Sequence, residues 1–103
     1  MADELQNALR KASLREVEVA GVKLHVRGLT SRERMELVRM QKDGTVTDFQ
    51  VAFWGLAKPD GSRYFDSVED AAESDGALIA EIAMEVMRAS KLLPDADEDA
   101  VKN

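Results

Sequence analysis

The stretch that decides the fold is Arg15-Glu16-Val17-Glu18-Val19-Ala20-Gly21-Val22-Lys23-Leu24-His25-Val26-Arg27. Apolar and polar residues alternate on both sides of Ala20-Gly21, and such alternation is typical of β-strands. A two-residue turn at this dipeptide needs positive φ, which glycine adopts at little cost. The turn predicts four cross-strand pairs, namely Val19 with Val22, Glu18 with Lys23, Val17 with Leu24, and Glu16 with His25. This register places the apolar residues on one face and opposite charges together on the other.

A hairpin alone is marginal in water, so its apolar face has to pack on helices. The segment Thr30-Ser31-Arg32-Glu33 is a capping box that opens a helix to about Gln41. A second box, Thr47-Asp48-Phe49-Gln50, opens a very apolar helix to about Ala57. A short acidic helix starts at 67–70, and the last helix runs to about Ser90. We therefore predict an α+β fold in which an N-terminal β-hairpin packs against a small bundle of three to four α-helices.

The remaining segments are assigned from their turn-forming and helix-breaking residues. Pro59-Asp60-Gly61-Ser62 indicates a turn, and the following 63–65 segment is a candidate short strand. Asp75-Gly76 is expected to break or kink the helical region. We expect residues 1–14 to form an arm or a short helix, 15–93 a single α+β domain, and 94–103 an acidic flexible tail.

Two helical segments, 48–57 and 77–87, carry more apolar residues than one buried face requires. One interpretation is that they form the core with the hairpin. The other is that part of their surface is an interface with a partner or a second copy, because large exposed apolar patches usually mark interfaces. On the second interpretation the partner-binding residues are Phe49, Phe53, Trp54, Leu56, Ile79, Met84 and Met87.

Composition narrows the function classes. A chain of 103 residues fits one domain, and no apolar run approaches the roughly 18 residues of a membrane span. Cysteine is absent and no signal peptide is visible, which fits a cytoplasmic protein. Residues 1–58 contain ten Lys/Arg and eight Asp/Glu (+2), whereas residues 59–103 contain four and twelve (−8). The acidic half is expected to repel nucleic acid, and it either attracts a basic partner or keeps the protein soluble.

Candidate catalytic and metal-binding groups are weak. His25 is the only histidine, and the hairpin register places it on a strand surface without a positioned partner or a pocket. Glu81 and Glu85 lie one helical turn apart but lack the histidine that such metal sites use. The chain has no phosphate loop, dinucleotide fingerprint or nucleophile motif. We therefore predict no enzyme activity and no catalytic, cofactor-binding or metal-binding residues.

The first main helix has a basic face formed by Arg32, Arg34, Arg39 and Lys42. With the next helix it could imitate a helix-turn-helix over residues 30–57. The second helix offers only Gln50 to read base edges. A small phage or bacterial DNA-binding regulator therefore stays open as an alternative function.

The order of short motifs resembles the tail assembly chaperones of long-tailed, siphovirus-like phages and prophages. The resemblance covers roughly residues 15–90 and rests on Val17-x-Val19-x-Gly21, on Val26-Arg27-x-Leu29-Thr30-x-x-Glu33-Arg34, and on Asp60-Gly61 and Phe65-Asp66. It implies a protein of the host cell cytoplasm that keeps the tape measure protein soluble while the tail tube assembles. It also implies, in many members, a longer product of ribosomal frameshifting that recruits the tail tube protein. The homo-oligomer that we expect follows instead from the surplus apolar surface of residues 48–57 and 77–87.

The resemblance implies no catalytic residues, no cofactor, and no nucleic-acid or membrane partner. We expect a client helix to lie with its apolar face in a groove, and its basic flanks to meet an acidic rim supplied by the second half of the chain.

Overall fold

The computed structural model describes residues 4–6 and 14–93. Residues 4–6 are helical, and the expected arm and acidic tail otherwise lie outside the described residues. The elements from residue 15 onward are β1 (Arg15–Val19), β2 (Val22–Val26), α1 (Ser31–Asp43), α2 (Asp48–Gly55), β3 (Leu56–Ala57), α3 (Val68–Ala72) and α4 (Gly76–Ala89). The fold is α+β, as predicted.

The hairpin forms in the predicted register, with all four predicted pairs present. Ala20 and Gly21 both have positive φ, 53° and 79°, the conformation that suits the twist of a two-residue hairpin. Val19 and Val26 are buried on the predicted apolar face. Val22 is a correction: it was expected to pack on the helices, but at the turn end of β2 it is 59% exposed.

Local capping signals position both central helices. The Thr30 side chain and Glu33 form the reciprocal capping box of α1, and Gly44 ends that helix in the left-handed conformation, with φ 71°. The Thr47 side chain accepts a hydrogen bond from the backbone N–H of Gln50 at the start of α2.

The predicted end of α2 near Ala57 is wrong. The helix stops at Gly55, and Leu56–Ala57 form the third strand of an antiparallel sheet in the order β1-β2-β3. Leu56 pairs with Val26 and Ala57 with His25. Leu56 and Ala57 have a helical sequence pattern, but they pair with the free edge of β2 instead.

The 59–62 turn forms as predicted, within a loop closed by a hydrogen bond from Lys58 N–H to the Ser62 carbonyl (2.8 Å). Only an isolated bridge follows, between Arg63 and Ala57, where a short strand was a candidate. Ser67 caps α3, and Asp75 caps α4, so Asp75-Gly76 starts the last helix. Among the described residues, no helix is long and apolar enough to cross a membrane.

The core lies where α2 packs against both α4 and α3. Gly55 permits the closest approach: a Cβ at this position would lie 2.9 Å from the Val86 Cβ, and closer still to both Val86 methyl groups. Val86 is fully buried. The absence of a side chain at residue 55 therefore sets the distance between α2 and α4.

A buried carboxylate joins α1 to the sheet. Glu33 accepts hydrogen bonds from Nη2 of Arg27 (3.1 Å), from Nη2 of Arg63 (3.1 Å) and from the backbone N–H of Thr30 (2.9 Å). Its side chain is largely buried, and so is that of Arg27. One side chain thus links the end of β2, the start of α1 and the segment after the 58–62 turn.

The Gly55–Val86 contact generates the first prediction. We expect Gly55→Ala to lower the free energy of unfolding by about 1–3 kcal/mol through overpacking. Combining it with Val86→Ala, which removes the clashing methyl groups, should cost less than the sum of the single changes by about 0.5–3 kcal/mol. Urea unfolding of the three variants measures this coupling.

Gly76→Ala is the matched control, because a Cβ there meets nothing within 4 Å. It should be neutral or slightly stabilising, since alanine is the better helix former. Strict additivity of the two changes at residues 55 and 86 would contradict the close approach.

Candidate functional site

The expected surplus of apolar surface on residues 48–57 is not present in the fold. Trp54 is only 9% exposed, and Val51, Ala52 and Leu56 are buried with it. The reason is that α2 is covered on two sides, by α4 and by the short helix α3. Sequence periodicity underestimated how much of an eight-residue helix two neighbours can cover.

The seven predicted partner-binding residues do not form one surface. Trp54, Leu56 and Ile79 are core residues, whereas Phe49, Phe53 and Met87 are half-buried against the core. The guanidinium of Arg63 lies 4.6 Å from the centre of the Phe53 ring, a cation–π contact that covers part of it. Met84 alone of the seven is exposed, at 46%.

A wide concave surface lies between the hairpin, the 58–65 segment and the first half of α4. We call it the hairpin groove; its volume is about 550 Å³, within the range of ligand sites. Its floor contains Leu56, Ile79 and Ile82, which are buried. The lining is completed by Val22, Lys23, Leu24, His25, Ala57, Lys58, Pro59, Tyr64, Phe65, Ser74 and Leu78.

Two exposed side chains with apolar surface form walls of the hairpin groove. Val22 is 59% exposed and Tyr64 is 56% exposed. Tyr64 is fixed by a hydrogen bond from its backbone N–H to the Leu56 carbonyl (3.0 Å) and by an edge-to-face contact with Phe65 at 5.2 Å. The sequence prediction included Leu56 and Ile79 but missed Val22, Tyr64 and Leu78. The signal that could have found this groove was an aromatic residue, Tyr64, two positions after the 59–62 turn.

The 58–62 turn forms one end of the hairpin groove, and Asp60 holds it. Its Oδ1 accepts hydrogen bonds from the Ser62 hydroxyl (2.6 Å) and the Ser62 N–H (2.8 Å). These two bonds, the hydroxyl first, lower the pKa of the Asp60 carboxyl. The bonded carboxylate therefore persists at neutral pH and is lost only as the pH falls through that lowered value.

The charges that line the hairpin groove are basic, so the expected acidic rim does not lie here. Lys23 and Lys58 both border it, together with His25. The two acidic residues of α4, Glu81 and Glu85, line a separate depression. A ligand of this groove is therefore expected to combine apolar groups with carboxylates.

A second surface centres on Met84 of α4. A depression of about 310 Å³ on one side is lined by Glu18, Ala20, Glu81 and Glu85, with Val19 and Arg88. A depression of about 210 Å³ on the other side is lined by Leu37, Val46, Asp48 and Met87, with Gln41, Thr47, Val51 and Ala83. We call both depressions together the Met84 surface. It is apolar at its centre and mainly acidic at its edges.

Among residues 4–6 and 14–93, no group of three or more His, Asp or Glu side chains is placed to hold a metal ion. The hairpin register puts His25 opposite Glu16, as predicted. The expectation that His25 has no pocket is wrong, because it lines the hairpin groove beside Lys23. Both surfaces are suited to binding through apolar contact with charged borders.

Comparisons with known proteins identify no relative. No family model matches the chain, and no curated protein and no solved structure matches it.

The burial of Trp54 generates the second prediction. We expect Trp54→Ala to lower the free energy of unfolding by about 3–5 kcal/mol, because it empties a core position. Met84→Ala should change it by no more than about 0.5 kcal/mol, as at an ordinary surface site. Thermal and urea unfolding followed by circular dichroism compare the pair. Equal losses for the two variants would contradict this division between core and surface.

Proposed function

We propose that this protein is a tail assembly chaperone of a long-tailed bacteriophage. In this role it binds the tape measure protein in the host cytoplasm and keeps it soluble while the tail tube assembles. The proposed activity is binding, without catalysis or a cofactor. The sequence resemblance supports the choice of family, and the hairpin groove is the proposed binding surface.

The observation that carries the proposal is the open apolar groove beside the hairpin. An amphipathic helix binds such a groove by inserting apolar side chains from successive turns. Val22 and Tyr64 are already exposed, and the half-buried Leu78 lines the same groove. Binding would remove this apolar surface from water, which is the main source of affinity.

The groove is formed before a client arrives. Its floor belongs to the same core as Val86 and Trp54, and the hydrogen-bonded 58–62 turn closes one end. A preformed site avoids the free-energy cost of ordering protein segments on binding. A chaperone that holds a long helical client at many points benefits from this, because each contact has to be independently favourable.

Lys23 and Lys58 specify the client chemistry further. A client helix with carboxylates beside its apolar face would meet both lysines. Such charges mainly raise the association rate and exclude basic segments, whereas the apolar contacts determine the dissociation rate. We propose that a longer, frameshifted product adds a segment that recruits the tail tube protein.

The DNA-binding alternative is disfavoured by the position of α2. In a helix-turn-helix the second helix enters the major groove. Here α2 is covered by α3 and α4, and its residues 51, 52, 54 and 55 are buried. An electrophoretic mobility shift assay at moderate salt tests this function: retardation of DNA would support the regulator, and free migration would not.

Binding of a helical fragment from the proposed client, a tape measure protein, tests the chaperone function. We expect Val22→Glu and Tyr64→Glu each to weaken binding at least about tenfold, through faster dissociation, because each puts a charge in the apolar contact. Raising the salt concentration should slow association and leave dissociation nearly unchanged. Surface plasmon resonance gives both rates.

Met35→Glu is the matched control, since Met35 is exposed on α1 and lines neither the groove nor its floor. It should change client affinity less than twofold. Circular dichroism confirms that each variant folds. If the tape measure fragment does not bind the wild-type chain, the proposed function is wrong. If it binds and the two groove variants bind equally well, the client uses another surface.

A further inference from the structure

The outer edge of β1 is open. β1 ends the sheet order β1-β2-β3, and no strand in the described part of the chain pairs with its outer side. The two-residue turn makes Val19 and Val22 a hydrogen-bonded pair, and such pairs alternate along an antiparallel ladder. The backbone N–H and C=O groups of Glu16 and Glu18 therefore point outward, away from β2. The edge presents two donors and two acceptors to an approaching strand.

The side chains along this edge differ between the two faces of the sheet. Glu16 and Glu18 are exposed, on the face opposite to that of Val17 and Val19. Val17 is partly buried against the core on the other face, where α4 contacts β1. There Met84 is 46% exposed, in the depression of about 310 Å³ that belongs to the Met84 surface. The edge of β1 thus combines carboxylates on one face with open apolar surface on the other.

We infer that the edge of β1 binds an extended protein segment, in which basic and apolar residues alternate, as an added antiparallel strand. Residues directly opposite each other in an antiparallel pair share a face of the sheet. The basic side chains of the segment then lie opposite Glu16 and Glu18, while its apolar side chains face Val17 and Met84. Backbone hydrogen bonds supply the affinity of such an added strand, and its alternate side chains supply the specificity.

The charges around the edge select a basic partner. Glu18 pairs with Lys23 and Glu16 with His25 across the hairpin, and Glu81 of α4 adds a carboxylate beside the edge. A basic residue opposite Glu18 completes a row of alternating charge across three strands, and opposite charges on directly paired residues stabilise a sheet. An acidic strand meets like charges instead. This includes β1 of a second copy, in which glutamate faces glutamate.

This inference goes beyond the proposed function and does not depend on it. The hairpin groove lies at the opposite edge of the sheet, beside β2 and β3, and no residue of β1 lines it. The groove is bordered by lysines, whereas the β1 edge is bordered by carboxylates. One molecule therefore has two binding sites of opposite charge preference.

Amide hydrogen exchange followed by nuclear magnetic resonance tests the inference with a synthetic probe. The probe is a seven-residue peptide in which lysine alternates with valine, with lysine at both ends. At a peptide concentration about tenfold above its dissociation constant, we expect exchange at Glu16 and Glu18 to slow about tenfold, because the bound strand protects these N–H groups. Lys23 is the matched control: its N–H points to the other edge of β2, beyond the end of the β2–β3 pairing at His25. Its exchange should not change.

Two modified peptides separate strand pairing from simple charge attraction. N-methylation of the two inner lysines removes the N–H groups that face β1, whereas N-methylation of two valines removes N–H groups on the far edge of the peptide. We expect the first change to weaken binding at least about tenfold and the second less than about threefold. Glu18→Gln should weaken binding of the unmodified peptide about two- to fivefold. Glu69→Gln, which removes the same charge from an exposed position on α3, should have a smaller effect than Glu18→Gln.

Three outcomes would overturn the inference. One is a peptide that does not bind at the highest attainable concentration. Another is protection of Lys23 in place of Glu16 and Glu18, and the third is an equal loss of affinity for the two methylated peptides. Tyr64→Glu, which should weaken client binding in the hairpin groove, should leave peptide affinity within about twofold. Failure of the proposed function is therefore distinguishable from failure of this inference.

Discussion

The close approach of α2 to α4 at Gly55 and Val86 is the constraint on which the rest of the fold depends. Without a side chain at residue 55, the two helices meet at a distance that any larger residue would prevent. This contact brings α2 into the centre of the domain, where α3 covers another side. It also places Leu56 immediately after the helix, at the edge of β2, where β3 forms. The short chain thereby buries the helix that contains Trp54. Its exposed apolar residues Val22 and Tyr64 line the separate hairpin groove.

Glu33 stabilises one wall of the hairpin groove through its ion pairs. Burying a carboxylate costs free energy unless charged donors and hydrogen bonds compensate for the lost water. Here two arginines and the Thr30 N–H do so. Arg63 is the important partner, because it stands between the 58–62 turn and Tyr64 and also covers Phe53. The ion pair therefore fixes the segment that forms one wall of the hairpin groove, although Glu33 does not line that groove.

Local signals in the sequence predicted the elements well, and nonlocal contacts explain the differences. The hairpin register follows from a two-residue turn, and Thr30, Thr47 and Ser67 each mark a helix start through their own side chains. The third strand has only two residues, and it exists because β2 offers a free edge, which no local pattern reveals. The partner-binding prediction named Trp54 because its helix is apolar on all sides. Whether such a helix is core or interface depends on how many neighbours cover it, and periodicity does not contain that number.

The exposed apolar residues differ in the charges of their neighbours. These charges determine which surfaces attract and which repel one another. Val22 and Tyr64 lie near lysines, Met84 near carboxylates, and Met35 and Val38 near arginines. The exposed side of α1, where Arg32 and Arg39 lie near Met35, is repelled by the basic edge of the hairpin groove. Specificity needs such unfavourable pairings as well as favourable ones. We therefore propose that the groove favours acidic, apolar partners, because the exposed side of α1 carries the same charge as the groove and cannot occupy it.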